Sequence, residues 1–219
     1  MAQSQFEVSR PFYIFSDDGK SIIMNPKWML YFYENQTVLR SFISWNWLDY
    51  MQRRNPSVPN LQLKLFPPSV RNSLNNQTTY WNRIIEKEKL SCIFSGRPIM
   101  SEDLSIDHFL PWSFVAHDQL WNLIPVSRSI NSSKSNNLPD LERYFDKFVD
   151  MQFRGLQIYK KNPGKVSWNR IVEPYVADLR LKPEDLMDRG KLKMGLRNTI
   201  EPLSCLAVAQ GFYEGWVYG

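Results

Sequence analysis

Asp107 and His108 stand side by side, Asn122 follows fourteen residues after His108, and Asn131 with Lys134 close behind completes the order. Side chains of these types could together hydrolyse a phosphodiester. That reaction needs an activated water, charge stabilisation on the phosphate and help for the departing oxygen. An unperturbed imidazole titrates around pH 6.5, so His108 can accept a proton near neutrality. Neighbouring residues on a regular strand point to opposite faces, so Asp107 and His108 need a bend or twist to serve one site. Lys134 falls one helical turn after Asn131, and residues at that spacing share a face. Each piece has a plainer reading: the Asp-His pair as a turn, Asn122 as a turn residue, Asn131 and Lys134 as a helix cap with a solvated lysine.

The whole order says more than its pieces. Asp107-His108 is followed by Pro111 and Ser113, then by Trp121-Asn122-Leu123-Ile124-Pro125, then by Asn131-x-x-Lys134-x-Asn136. This resembles the HNH endonuclease family, whose core is a β-hairpin followed by a helix gripping one divalent metal. The resemblance covers about 50 of the 219 residues. It implies that Asp107 ligates the metal and that His108, at the end of the second strand, is the general base. Asn131 stands where other members carry the last His, as second metal ligand. Asn122 matches the middle Asn and would hydrogen-bond backbone across the loop between strand and helix, holding His108 in place. Lys134 would contact a phosphate oxygen near the metal. Oxygen ligands of this kind suit Mg²⁺ or Mn²⁺, which keep several waters and accept phosphate oxygens.

Many family members brace the core with zinc knuckles built from paired cysteines. Here Cys92 has no partner before Cys205. A structural zinc needs about four ligands, so none is expected and hydrophobic packing must brace the core instead. His117, Trp112 and Trp121 are read as structural. Single-protein CRISPR effectors carry a similar Asp-His and Asn arrangement.

Elements must hold these residues in place. Asn25-Pro26 is a helix start, a capping Asn before a proline, and residues 27–54 read as one long helix or two consecutive ones. Pro56, Pro59, Pro67 and Pro68 break the chain, and Ser69 would cap a helix running to Glu88 with Leu74, Trp81, Ile84 and Ile85 inward. Cys92-Ile93-Phe94 and Leu104–His108 would form a hairpin. Leu141, Tyr144, Phe145, Phe148 and Val149 repeat at helical spacing, so a helix follows to about Lys161 and ends at Asn162-Pro163-Gly164. Pro174, Pro183, Gly190 and Pro202 punctuate a remainder that is helical in pieces. The expected fold is α+β: a mostly helical protein with a small central ββα-metal nuclease core. Its regions are a helical 1–88, the core 89–161 and a helical 162–219.

Hydrophobic residues make up 43% and aromatic residues 14% of the chain, the profile of a globular protein and not of a disordered tail. No apolar run approaches the roughly 18 residues of a membrane span, and the amino terminus lacks a secretory layout. Two isolated cysteines suit a reducing cytoplasm. The net charge of +5 is uneven: −1 over residues 1–50, +6 over 51–100, −4 over 101–150, +6 over 151–200 and −2 at the end. An acidic motif between basic flanks fits a metal site beside a polyanion, although solvated helix faces give the same count. Candidate phosphate contacts are Arg53, Arg54, Arg71, Arg97, Arg154, Lys160, Lys161 and Lys165.

The expectation is a metal-dependent DNA endonuclease of bacterial restriction or anti-phage defence, or the nuclease subunit of a larger system with a partner protein that targets or activates it. The alternatives are a catalytically silent nucleic-acid or protein-binding module on the same fold, and an RNase toxin.

Overall fold

Asn25 opens the first helix as its sequence requires: its side chain accepts the Lys27 N–H at 3.1 Å, with Pro26 in the first turn. The computed structural model in which this is seen describes residue 8 and residues 11–56, 58–67 and 73–219. It is 59% helical with two small antiparallel sheets, an α+β, mostly helical fold. The chain divides into two compact units, residues 1–56 and 57–219.

In the first unit, β1 (Tyr13–Phe15) pairs antiparallel with β2 (Ile22–Met24). Two consecutive helices follow, α1 (Pro26–Glu34) and α2 (Gln36–Arg54), and neither buries a side chain. Phe42 and Trp45 of α2 are 67% and 72% exposed.

The second unit carries the large core. After α3 (Leu61–Leu65), α4 spans Asn75–Lys87. It starts later than the sequence suggests; the expected cap, Ser69, lies outside the described residues. Trp81 and Ile84 of α4 are fully buried.

Two strands, β3 (Leu104–His108) and β4 (Leu123–Ser127), pair antiparallel with His108 opposite Leu123 and Asp107 opposite Ile124. Between them lies the short α5 (Trp112–Val115), and α6 (Arg128–Lys134) follows β4 directly. This is the ββα unit, but its hairpin is not the expected one. Residues 91–98 fold back on themselves: Cys92 N–H donates to Arg97 O and Gly96 N–H to Cys92 O, each at 2.8 Å. Gly96 takes φ +70, where its lack of a Cβ matters. The true partner of β3 contains Pro125, which reads as a strand breaker. In a two-stranded sheet every strand has an unpaired edge, and there a missing N–H costs no ladder bond. His108 consequently ends the first strand of the hairpin, not the second.

Three helices complete the unit: α7 (Leu141–Lys161), α8 (Trp168–Leu179) and α9 (Arg189–Ala209). Helix α7 buries Tyr144, Phe145, Phe148 and Val149 as their spacing predicts, and Asn162 caps its end. Phe148 stacks on Phe109 just beyond β3, ring centroids 4.1 Å apart. Pro174 and Pro202 do not punctuate; they lie inside α8 and α9. An interior proline costs about 3 kcal/mol. In α8 the burial of Ile171, Val172, Tyr175 and Leu179 on one face offsets it, at about 1.5–3 kcal/mol for each large side chain. Gly190 also lies in a helix, in the first turn of α9, where Asp188 accepts its N–H; only Pro183 falls between helices.

Candidate active site

Strand periodicity places Ser105 and Asp107 on one face of β3, and α6 packs there. Ser127 caps α6 by accepting the Ile130 N–H at 3.4 Å. The helix then presents Asn131 and Lys134 one turn apart on the strand. Asn131 Nδ2 donates to Ser105 Oγ at 2.7 Å, and its Oδ1 makes no hydrogen bond to a described residue. Lys134 Nζ donates to Asp107 Oδ1 at 3.3 Å and to the His108 carbonyl at 2.6 Å.

Asn122 shapes the other side of His108. It is fully buried; its Oδ1 accepts the Leu110 N–H at 2.8 Å, and its Nδ2 donates to Leu110 O at 2.9 Å. Phe109 N–H adds a bond to Asn122 O at 2.8 Å. Three bonds therefore close the neck of the 109–122 loop immediately after His108. That loop joins strand to strand, not strand to helix as expected.

Asp107 and His108 line one open cleft of about 570 Å³, together with Ser105, Trp112, Asn131 and Asn136. Burial pushes the Asp107 carboxyl up from its ordinary value, opposed by the Lys134 ammonium. Asp107 Oδ2 lies 3.2 Å from Nζ yet accepts no hydrogen bond from a described residue.

Lys134 is fully buried. The expected phosphate contact gives way to an internal counter-ion under Asp107, because the ammonium is spent on the carboxylate and the strand carbonyl.

Residues without a local sequence signal complete the site. His108 Nε2 lies 2.8 Å from Asp118 Oδ1, ten residues on. Ser105 holds Asn131, and Gln77 of α4 donates to the Asp118 carbonyl at 3.1 Å. Only the fold brings these together. His117 is structural in its contacts: its Nδ1 accepts the Gln119 N–H at 3.4 Å and its ring lies 5.4 Å from that of Trp121. Trp121 in turn donates to Asp178 Oδ2 at 2.6 Å. Burial lowers the His117 pKa, with Asp178 opposing.

Among the described residues, none of the expected phosphate contacts lines the cleft. Arg53 pairs with Asp49 at 2.9 Å, and Arg54 lies over the Tyr50 ring at 4.7 Å. Arg154 forks onto Glu88, its Nε 2.7 Å from Oε1, and Lys160 lies over Trp168. Arg97, Lys161 and Lys165 are exposed, and Arg71 lies outside the described residues.

Among the described residues no three His, Cys, Asp or Glu side chains are grouped to hold a metal. A hydrated Mg²⁺ needs only one or two protein oxygens plus substrate phosphate. Asp107 Oδ2 and Asn131 Oδ1, both without a hydrogen-bond donor among the described residues, fit that requirement. Among the described residues no helix is long and apolar enough to cross a membrane.

No curated protein and no solved structure matches the chain. The segment that holds Asp107, His108, Asn122, Asn131 and Lys134 is similar to one known family: residues 92–140 match the model of the HNH endonucleases.

Proposed function

We propose that the protein is a divalent-metal-dependent DNA endonuclease, acting in the cytoplasm in bacterial restriction or anti-phage defence. The observation that carries this reading is the opening of Asp107 and His108 on one cleft, with Asn131 on its wall. Nucleases of the matched family generally use divalent ions, and Asp107 and Asn131 are the residues that would hold Mg²⁺ or Mn²⁺. When bound, the ion supplies charge stabilisation at the phosphate and at the departing oxygen.

The chain's own residues do the rest. His108 takes a proton from water, whose oxygen forms a bond to phosphorus as the bond to the leaving oxygen breaks. Asn122 holds the backbone beyond His108, and Lys134 keeps Asp107 ionised in a buried place. Catalysis belongs to region 89–161, braced by the helices within residues 57–88 and 162–219, and Arg97, Lys161 and Lys165 are free to meet a polyanion. A protein that targets or activates the nuclease belongs to the same reading.

The test is incubation with supercoiled plasmid, linear DNA and RNA, with and without Mg²⁺. Nicking or linearisation of plasmid that a chelator abolishes is the expected result. Cleavage of RNA alone would redirect the reading to a ribonuclease. No cleavage of any substrate by the protein with Mg²⁺ or Mn²⁺ would leave the silent binding module as the better account.

A further inference from the structure

The loop between β3 and β4 is far more constrained than a connector needs to be. Its 115–118 stretch is tied at separate points: the Asn60 side-chain amide donates to Val115 O, Gln77 Nε2 donates to Asp118 O at 3.1 Å, and Ala116 N–H donates to Trp112 O at 2.7 Å. Ala116 adopts φ +52, a left-handed conformation unfavourable for a residue with a Cβ. Such local strain persists only where the surroundings over-determine it, and it clusters at functional sites. What this turn delivers is the Asp118 side chain, with Oδ1 2.8 Å from His108 Nε2.

A carboxylate only accepts hydrogen bonds, so the Nε2 facing it carries the proton. Nδ1 of His108 makes no hydrogen bond to a described residue, and His108 lines the cleft. We infer that Asp118 is a positioning residue for the proposed reaction: it grips His108 through Nε2–H and thereby presents Nδ1 to the cleft as the nitrogen that receives the proton from water. The logic is that of a nucleophile's base oriented by a third group, in which the carboxylate fixes ring orientation and tautomer without itself taking part in bond making. This role rests on the nuclease reading, but the hydrogen bond itself can be observed without cleavage.

The chain has two histidines, so histidine-selective ¹⁵N labelling of the full-length protein resolves them. In the wild type, at a pH where the ring is neutral, an exchange-protected Nε2–H proton of His108 is expected; Asp118→Ala should lose it. In plasmid cleavage, Asp118→Ala should lower kcat by about 10²-fold or more. KM should stay within about threefold, since Asp118 acts through the base and not on substrate binding. Asp118→Glu should recover part of the rate by restoring the carboxylate. Asp118→Asn keeps the size and covers an Asp118→Ala that does not fold; it should show the same loss, because a carboxamide can turn its NH₂ to the ring and force the proton onto Nδ1. An unprotected Nε2 in the wild type, or variants that cut within about twofold of it, would overturn the role. A wild type that cuts nothing would sink the nuclease reading while the Nε2–H signal still decides for or against the grip of Asp118.

Discussion

Lys134 Nζ lies 3.2 Å from Asp107 Oδ2, and the two side chains are almost wholly buried, only 1% and 4% exposed. The residue read as a metal ligand is therefore also half of an internal ion pair that joins α6 to β3. Desolvating two charges costs several kcal/mol each, and their attraction compensates only while both are present. The second bond of Lys134, to the His108 carbonyl, ties the backbone of the proposed base to the same cation. Stability and site geometry are thus coupled through one ammonium.

Lys134→Met should accordingly destabilise the protein by about 3–5 kcal/mol, because it strands the Asp107 carboxylate in a buried place. The double variant Asp107→Asn/Lys134→Met should recover a large part of that loss, since no charge is then left alone. Denaturant unfolding of the four proteins in the cycle measures the coupling. Additive losses would show that the pair does not act as a unit.

His108→Ala should lower cleavage by about 10²–10⁴-fold. Gel quantification of plasmid nicking under single-turnover conditions reads the effect, with circular dichroism to verify the fold. Cleavage at the wild-type rate would remove His108 from its role.

The site was legible in sequence wherever its logic is local. Asp107-His108, the Asn122 clamp on backbone and the one-turn spacing of Asn131 and Lys134 all follow from short-range order, and α7 followed from its apolar period. What escaped depends on distance in the fold. The partner of β3 escaped because Cys92-Ile93-Phe94, the apolar run nearer to it in sequence, offers itself as the other hairpin strand, whereas β4 pairs with it across the 109–122 loop. Asp118, Ser105 and Gln77 bear no mark before the chain folds. Lys134 looked like a phosphate contact because helical spacing gives the face but not its depth, and the face proved to be the inner one. Pro174 misled for a related reason, since its local cost is outweighed by a buried face that only packing reveals.

Removing divalent metal should abolish cleavage and leave the thermal midpoint within about 2 °C, because a hydrated ion held by two side chains adds little folding free energy. Asn131→Ala is the cleaner variant for the metal site, since Asp107→Ala also strands Lys134. Calorimetric titration with Mn²⁺ should show clearly weaker binding by Asn131→Ala. Unchanged affinity would take Asn131 out of the ligand set.

Acid should weaken the fold through His117. Its folded pKa lies below the ordinary 6.5 because burial disfavours the charged ring, against the pull of Asp178 and Asp118 and with His108 adding to the shift. As pH falls below about 6.5, the unfolded chain binds a proton that the folded chain does not, so stability declines through that window. His117→Gln should flatten the decline. Melts at pH 7.5 and 5.5 check this, and equal pH sensitivity in both proteins would assign it elsewhere.

The basic side chains separate into committed and free ones, and salt dependence should sort them. Arg154 is forked onto Glu88, and Arg53 is paired with Asp49. Lys161 and Lys165 are exposed near the end of α7. Each true phosphate contact removed should flatten the log-affinity against log-salt slope by about 0.9 on duplex DNA, evenly across sequences. Lys161→Ala/Lys165→Ala should therefore reduce the slope by up to about 1.8. Arg154→Ala should leave the slope unchanged, its effect being the loss of an exposed ion pair, about 0–1 kcal/mol of stability. Fluorescence anisotropy over a salt series with catalysis blocked by His108→Ala provides the measurement. A slope unchanged by the double lysine variant would mean that this end of α7 does not hold DNA. A slope reduced by Arg154→Ala would mean that its bond to Glu88 gives way to phosphate on binding.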